Sequence, residues 1–227
     1  MAIKAVVFDA YGTLFDVYSI GELAERLFPG QGAAVATLWR DRQIEYTRLR
    51  TMSDRYKPFW DVTEDALVFS CRKLGLALDA DKQTALMAQY AVLTPFPENL
   101  AVLQSLRQMA LPLAILSNGN PPMLESVVEA AGMQSLFAHL LSADAVRKFK
   151  TASQAYQLGP DHLGLPATDI LFVSSNCWDV CGAAWFGYQT FWVNRANAPA
   201  EELDVLPQAQ GRTLTDVLQH VHQQNLA

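Results

Sequence analysis

Cysteine is scarce in this chain: three residues in 227, at Cys71, Cys177 and Cys181. That small, odd number argues against a disulfide framework. Cys177 and Cys181 stand four apart, a spacing that shares a helix face, but no second ligand pair completes a zinc site. All three read as small buried hydrophobes. Histidine is nearly as sparse. His139, His162, His220 and His222 stand neither beside a nucleophile nor in a metal-ligand pattern, so they default to structural or surface roles. Positive charge is in the minority, with 17 Lys and Arg against 23 Asp and Glu and a net charge of −6. Such a balance lacks the basic stripe that displaces counterions from nucleic acid. A small anionic substrate stays open, because one or two placed cations are enough for it.

Long apolar runs are missing as well. None reaches the ~18 residues that a membrane helix needs. Asp9 also breaks the N-terminal run MAIKAVVF too early for a signal peptide. The expectation is a cytoplasmic chain with no membrane and no nucleic-acid partner. What is there is 51% hydrophobic and only 18% charged, which excludes a disordered chain. The length can bury a sizeable core, as one large domain or two modest ones.

Apolar, β-branched runs predict strands at Ile3 to Phe8, Leu113 to Leu116 and Ile170 to Val173. Weaker strand candidates are His139 to Leu141 and Thr190 to Val193. Helical patterns fall between them, over Pro97 to Met109, Pro122 to Ala131, Ala152 to Leu163 and Asp179 to Phe186. The last three each end at a glycine. Such alternation predicts right-handed βαβ units and a parallel sheet. Residues 16–96 break it, with no convincing strand. They read as helices over Ile20 to Leu27, Ala33 to Arg50, Thr63 to Leu74 and Ala80 to Leu93. The expected architecture is an α/β, Rossmann-like parallel-sheet core (1–15 and 97–227) with an inserted helical cap domain (16–96). Residues 194–212 read as a long polar loop. Gly30-Gln31-Gly32 is not a dinucleotide fingerprint, since no strand precedes it and the third glycine is missing.

In an open parallel sheet, ligands bind outside the carboxyl ends of the strands. The residues at those ends are Asp9, Ser117-Asn118-Gly119, Lys150 and Ser174-Ser175-Asn176, with Trp178-Asp179 just beyond. Taken singly, Ser117 and Ser174 are ordinary turn formers and Lys150 a solvated charge. Their convergence on one edge favours a site. Asp9 is the strongest residue: it ends an apolar strand, Gly12 permits a tight turn after it, and Thr13 can hydrogen-bond its carboxylate. A carboxylate with one oxygen free is a usable nucleophile, and a nearby lysine keeps it ionised.

Asp9-Ala10-Tyr11-Gly12-Thr13, Ser117-Asn118-Gly119, Lys150 and the run Ser174 to Asp179 resemble, in order, the four motifs of the haloacid dehalogenase superfamily. Within it, Trp39-Arg40, Gln43 to Tyr46, Leu49-Arg50 and Tyr56 to Trp60 are similar to the cap of the L-2-haloacid dehalogenases. The resemblance spans most of the chain. The aspartate motif is weak alone, but the full ordered set is very specific. Phosphatases of the superfamily carry a second aspartate two residues after the nucleophile, and an acidic residue in the last motif. Here Tyr11 and Ser175-Asn176 stand at those places, so oxygen ligands for Mg²⁺ are depleted and no metal or other cofactor is expected.

The resemblance implies hydrolysis of (S)-2-haloalkanoic acids, such as haloacetates and 2-halopropionates, to 2-hydroxyacids with inversion. Asp9 would attack C2 and form an ester that water then opens. Arg40 and Asn118 would cradle the halide, and Ser117 would take the substrate carboxylate. Lys150 would orient Asp9, helped by Thr13. Ser174, Asn176 and Asp179 would hold the water and the lysine network, with Tyr156 a candidate member. Tyr11, Phe59 and Trp178 would wall the pocket, a role that ordinary core packing rivals. The apolar cap helices and the resemblance together suggest a homodimer. Two positions depart from the family pattern: Thr151 follows Lys150 where proline is usual, and Asp41-Arg42 follow Arg40 where a neutral residue and a lysine are usual. The competing readings are a Mg²⁺-dependent phosphatase of the same superfamily, against which Tyr11 and Asn176 count, and an inactive binding member, against which Asp9 and Lys150 count.

Overall fold

The computed structural model describes residues 2–226. Six strands form one parallel sheet: β1 (Ala5–Phe8), β2 (Leu113–Ser117), β3 (His139–Ser142), β4 (Ile170–Ser174), β5 (Gln189–Val193) and β6 (Ala209–Gly211). Their order is β3-β2-β1-β4-β5-β6, so the chain reverses its direction of travel across the sheet at the β1/β4 boundary. The crevice outside the strand ends at such a point is where ligands bind in open α/β sheets. β1 is central and buried on both faces. Val6 and Phe8 face one apolar cluster, Ala5 and Val7 the other, as the two-residue period of a strand requires. That double burial is why β1 reads as an unbroken apolar run.

Helices α5 (Asn99–Gln108), α6 (Pro121–Ala130) and α9 (Leu214–Leu226) pack on the Val6/Phe8 face. Helix α7 (Ser153–Leu163) and Ala183 of α8 (Cys177–Phe186) pack on the other. Between β1 and α5 lie four helices: α1 (Ile20–Leu27), α2 (Gly32–Met52), α3 (Phe59–Lys73) and α4 (Ala80–Tyr90). The chain leaves and re-enters the sheet side by side. Asp16 N–H donates to Thr94 O at 2.8 Å and Phe96 N–H to Leu14 O at 3.2 Å. Phe15, Trp39, Phe59, Leu67 and Tyr90 from this helical segment join the same cluster as Val6 and Phe8, so apolar packing runs unbroken from sheet to helices.

Three expectations need correction. Residues 194–212 are not loop throughout: Ala209–Gly211 pair with Phe191–Val193 as an edge strand. The pattern is too short and too polar to signal a strand, and its pairing is set by β5. Helix α9 follows it, a helix the sequence reading did not contain. Helix α3 starts at Phe59, four residues before the expected Thr63, because Pro58 supplies a fixed φ of −51° at the boundary and the chain can turn helical at once.

Candidate active site

The site forms where β1, β2 and β4 end. Asp9 follows β1, and Gly12, at a φ of +96°, bends the chain so that Thr13 turns back on it. Asp9 Oδ2 accepts from Thr13 Oγ1 at 3.0 Å, Asn176 Nδ2 at 2.9 Å and, more weakly, Ser174 Oγ at 3.5 Å. Oδ1 accepts from Lys150 Nζ alone, at 3.1 Å. One oxygen is therefore saturated while the other keeps a lone pair uncommitted.

Local structure explains who holds whom. Ser174 Oγ accepts the Asn176 N–H at 3.1 Å and Thr13 Oγ1 the Ser175 N–H at 2.8 Å. These bonds shape the turn between β4 and α8. Asn176 stands at the N-cap of α8 with extended backbone, but its side chain makes no cap bond. Its Oδ1 accepts from Arg40 instead, and its Nδ2 donates to Asp9. Asn118, at the end of β2, accepts the Lys150 N–H through Oδ1 at 2.8 Å, which places the lysine against the strand ends.

Lys150 lies between two carboxylates. Its Nζ donates to Asp179 Oδ2 at 2.9 Å as well as to Asp9, and it stands 4.9 Å from the centre of the Phe172 ring. Burial disfavours its charge, but Asp179 and Asp9 outweigh it and hold the lysine above its ordinary pKa. Full burial pushes the Asp179 carboxyl up to about 6, against the pull of Lys150 and the hydrogen bond from Tyr156. Tyr156 OH donates to Asp179 Oδ1 at 2.7 Å, and burial drives its own hydroxyl well above 10. Removing one member of such a buried set leaves an uncompensated charge, at a cost of about 3–5 kcal/mol.

Arg40, on α2, reaches the strand ends. Its Nη2 donates to Tyr11 O at 2.9 Å and to Asn176 Oδ1 at 3.4 Å, and its Nη1 donates to Gln43 Oε1 at 2.8 Å. Among the described residues the guanidinium makes no ion pair. Arg42, not Arg40, pairs with Glu45, and Asp41 is exposed with no bond to Arg40. Behind it, Gln43 Nε2 donates to Thr63 Oγ1 at 2.6 Å, Tyr90 OH to Gln43 Oε1 at 3.1 Å and Trp39 Nε1 to Thr63 O at 2.7 Å. Trp39 and Gln43 stand in the cap stretches that resemble the family, but the resemblance gave them no role. The signal for Gln43 is its i,i+3 spacing from Arg40 on one helix face; Thr63 and Tyr90 come from other helices and carry none.

Asp9, Tyr11, Arg40, Phe59, Ser117, Asn118, Asn176 and Trp178, with Ile44 and Thr47, line a small cavity of about 10 Å³, room for about one water molecule. Ser117 accepts the Gly119 N–H at 3.1 Å. Tyr11 is stacked on Tyr90, with ring centres 5.7 Å apart, and tilted against Phe59 at 5.8 Å. Trp178 is covered on its outer face by Arg48, 5.0 Å from its ring. Thr13, Lys150, Ser174, Asp179 and Tyr156 lie behind this wall. All thirteen residues singled out from the sequence thus converge on one place. Ile44 and Thr47 are additions, on the same face of α2 as Arg40.

A Rossmann-like sheet with a donor-wrapped aspartate after β1 and a buried lysine beside it defines the haloacid dehalogenase-like hydrolases, whose family model matches residues 3–187. Within that class the chain belongs to the L-2-haloacid dehalogenase family. It is 45% identical over 217 residues to an (S)-2-haloacid dehalogenase of Pseudomonas sp. (strain YL), covering 96% of this chain and 94% of the relative. The crystal structure of the L-2-haloacid dehalogenase RSc1362 superposes with a TM-score of 0.96 at 58% identity, over 98% of this chain and 100% of that one. An L-2-haloacid dehalogenase from Xanthobacter autotrophicus, with chloropropionic acid covalently bound, superposes with a TM-score of 0.91 at 37% identity, over 97% and 98% of the two chains.

Proposed function

We propose that this chain is an (S)-2-haloacid dehalogenase that converts haloacetates and 2-halopropionates to 2-hydroxyacids with inversion at C2. The observation that carries this reading is the asymmetry of Asp9, a residue of the cavity wall: Oδ2 is held by three donors while Oδ1 has one partner. Oδ1 is the nucleophile. It attacks C2 opposite the halogen, the C–X electron pair leaves with the halide, and an aspartyl ester forms. Water then adds to the ester carbonyl of Asp9, and the 2-hydroxyacid departs with the C2–O bond intact. Arg40 and Asn118 receive the halide, Ser117 the substrate carboxylate. Lys150 and Thr13 orient Asp9. Ser174 and Asn176 hold the hydrolytic water, and Asp179 with Tyr156 keeps Lys150 charged. Tyr11, Phe59 and Trp178 exclude bulk water, which strengthens each of these polar contacts.

The chemistry needs no metal in this reading, because the donors around Asp9 are hydroxyls, an amide and an ammonium, and Tyr11 brings no carboxylate. Residues 16–96 act as the cap over a core of 1–15 and 97–227. The chain works in the cytoplasm as a homodimer. Among the described residues, no helix is long and apolar enough to cross a membrane.

The test is a single turnover of (S)-2-chloropropionate in ¹⁸O water with EDTA present. Label should enter the Asp9 carboxyl before the lactate, the lactate should be (R), and Asp9→Asn should abolish halide release. Label appearing directly in lactate with none in the protein would refute the ester. Loss of activity with EDTA, restored by Mg²⁺, would refute metal independence.

A further inference from the structure

Arg195 lies outside every motif, just beyond the end of β5, yet it is bonded to both connections through which the chain leaves and re-enters the sheet. Its Nη2 donates to Thr13 O at 3.3 Å, on the outgoing connection. Its Nη1 pairs with Glu98 Oε1 at 2.7 Å, on the returning one. The guanidinium carbon stands 3.7 Å from the centre of the Phe96 ring, between those two contacts along the returning chain. Asn99, fully buried, adds a parallel tie through Nδ2 to Leu14 O at 2.8 Å. Thr13 is thus held at its carbonyl by Arg195 and, at 3.5 Å, by Asn99 Nδ2, and at its hydroxyl between Asp9 Oδ2 and the Ser175 N–H.

We infer that Arg195 is a positioning residue for the reaction: by fixing the Thr13 backbone it aims the Thr13 hydroxyl at Asp9 Oδ2 and leaves Oδ1 turned to the substrate. The inference rests on the proposed role of Asp9. A planar fork suits this position, because it meets a carboxylate, a carbonyl and a ring face at once, whereas an ammonium has no plane to stack. The Glu98 pair is partly buried, with side chains 19% and 22% exposed, so solvent screens it less than a surface pair.

The experiment compares Arg195→Ala and Arg195→Lys with the parent by steady-state halide release from (S)-2-chloropropionate, rapid-quench mass spectrometry of the ester, and thermal melting. Arg195→Ala is expected to lower kcat and the rate of ester formation about tenfold or more, with KM within about threefold of the parent. Lysine should recover part of that loss. A kcat within twofold of the parent beside a lowered melting temperature would overturn the inference and leave Arg195 a fold clamp only. Should Arg195→Ala fail to fold, Glu98→Gln decides. It keeps the shape but removes the partner charge, and kcat should fall about threefold at unchanged KM; an unchanged kcat overturns the proposal. The parent is the control for the reaction itself. A parent that releases no halide refutes the dehalogenase reading, and a parent that turns over beside an unimpaired variant refutes only the role of Arg195.

Discussion

Arg40 is buried with three hydrogen bonds and no carboxylate partner, so its charge is left to meet an anion that arrives or forms. The leaving halide carries nearly a full charge in the transition state and little in the bound substrate. A cation placed there lowers the barrier beyond any ground-state binding. Losing one such preorganised contact costs about 3–4 kcal/mol, or roughly 10²–10³-fold in rate. Arg40→Ala is therefore expected to lower kcat for chloroacetate far more than it raises KM. Steady-state kinetics beside a melting curve checks this, and a kcat within a few-fold of the parent would show that Arg40 only packs the helices. Asp179 carries a second test. Its ionised form holds Lys150, and burial pushes its carboxyl up to about 6, so kcat should fall as pH drops through that region. The Tyr156 hydroxyl stabilises the anion. Without it the carboxyl pKa rises, and the acid limb of the Tyr156→Phe profile should move to higher pH. A limb that stays in place would detach Asp179 from the rate. Asp9 was readable because it directly follows a buried strand; Lys150, eight residues past β3, and Asp179, inside α8, were readable chiefly through the ordered motifs. Thr63 and Tyr90 were not, because their bonds to Gln43 join separate helices and no local spacing records such a meeting.

At the level of elements, Gly30-Gln31-Gly32 shows how a sequence feature with no chemistry still has a cause. Glu25 of α1 accepts the Gly30 and Gly32 N–H groups through its carboxylate, which ties α1 to the start of α2. A Cβ at position 32 would lie 2.6 Å from Gly21 O and 2.7 Å from Glu25 N. Both are backbone atoms that cannot swing aside, so only glycine lets α1 and α2 approach this closely. Gly32→Ala should destabilise the fold by about 1–3 kcal/mol, the usual cost of forcing extra atoms into a packed contact. At roughly 2–4 °C per kcal/mol for a chain of this size, calorimetry should show a clear drop in melting temperature, with KM unchanged. An unshifted melt would mean the helices separate at no cost. The same reasoning marks where legibility ended. The strands β1, β2 and β4 are buried on both faces and announce themselves as apolar runs. β6 is three residues, Ala-Gln-Gly, with no apolar run, and α9 shows its apolar stripe (Leu214, Val217, Val221) against a sheet face that pairing of distant strands creates.

At the scale of the whole molecule, strand order is the property least visible in sequence, since β1 and β4 are neighbours in the sheet across more than 160 residues of chain. Right-handed crossovers are compatible with it but do not dictate it, and it brings Asp9 beside Ser174 and Asn176. The helical segment presents a different surface question. Leu49, Met52 and Phe69 of α2 and α3 are 52%, 82% and 36% exposed. They stand at or near a groove that Tyr46, Val68, Arg50, Asp65 and Arg72 also line. An apolar patch rimmed by charges of both signs is self-complementary in the way a two-fold interface demands, since each copy offers the other both partners. In the proposed homodimer, a second copy of this chain would cover this groove. Sedimentation equilibrium should give twice the 25.1 kDa chain mass for the parent and the chain mass for a Leu49→Glu/Met52→Glu double variant. The site lies at the strand ends and not in this groove, so the separated chain should retain kcat within a few-fold. A parent that sediments as a monomer would remove the dimer. A double variant that remains dimeric would move the interface to another face.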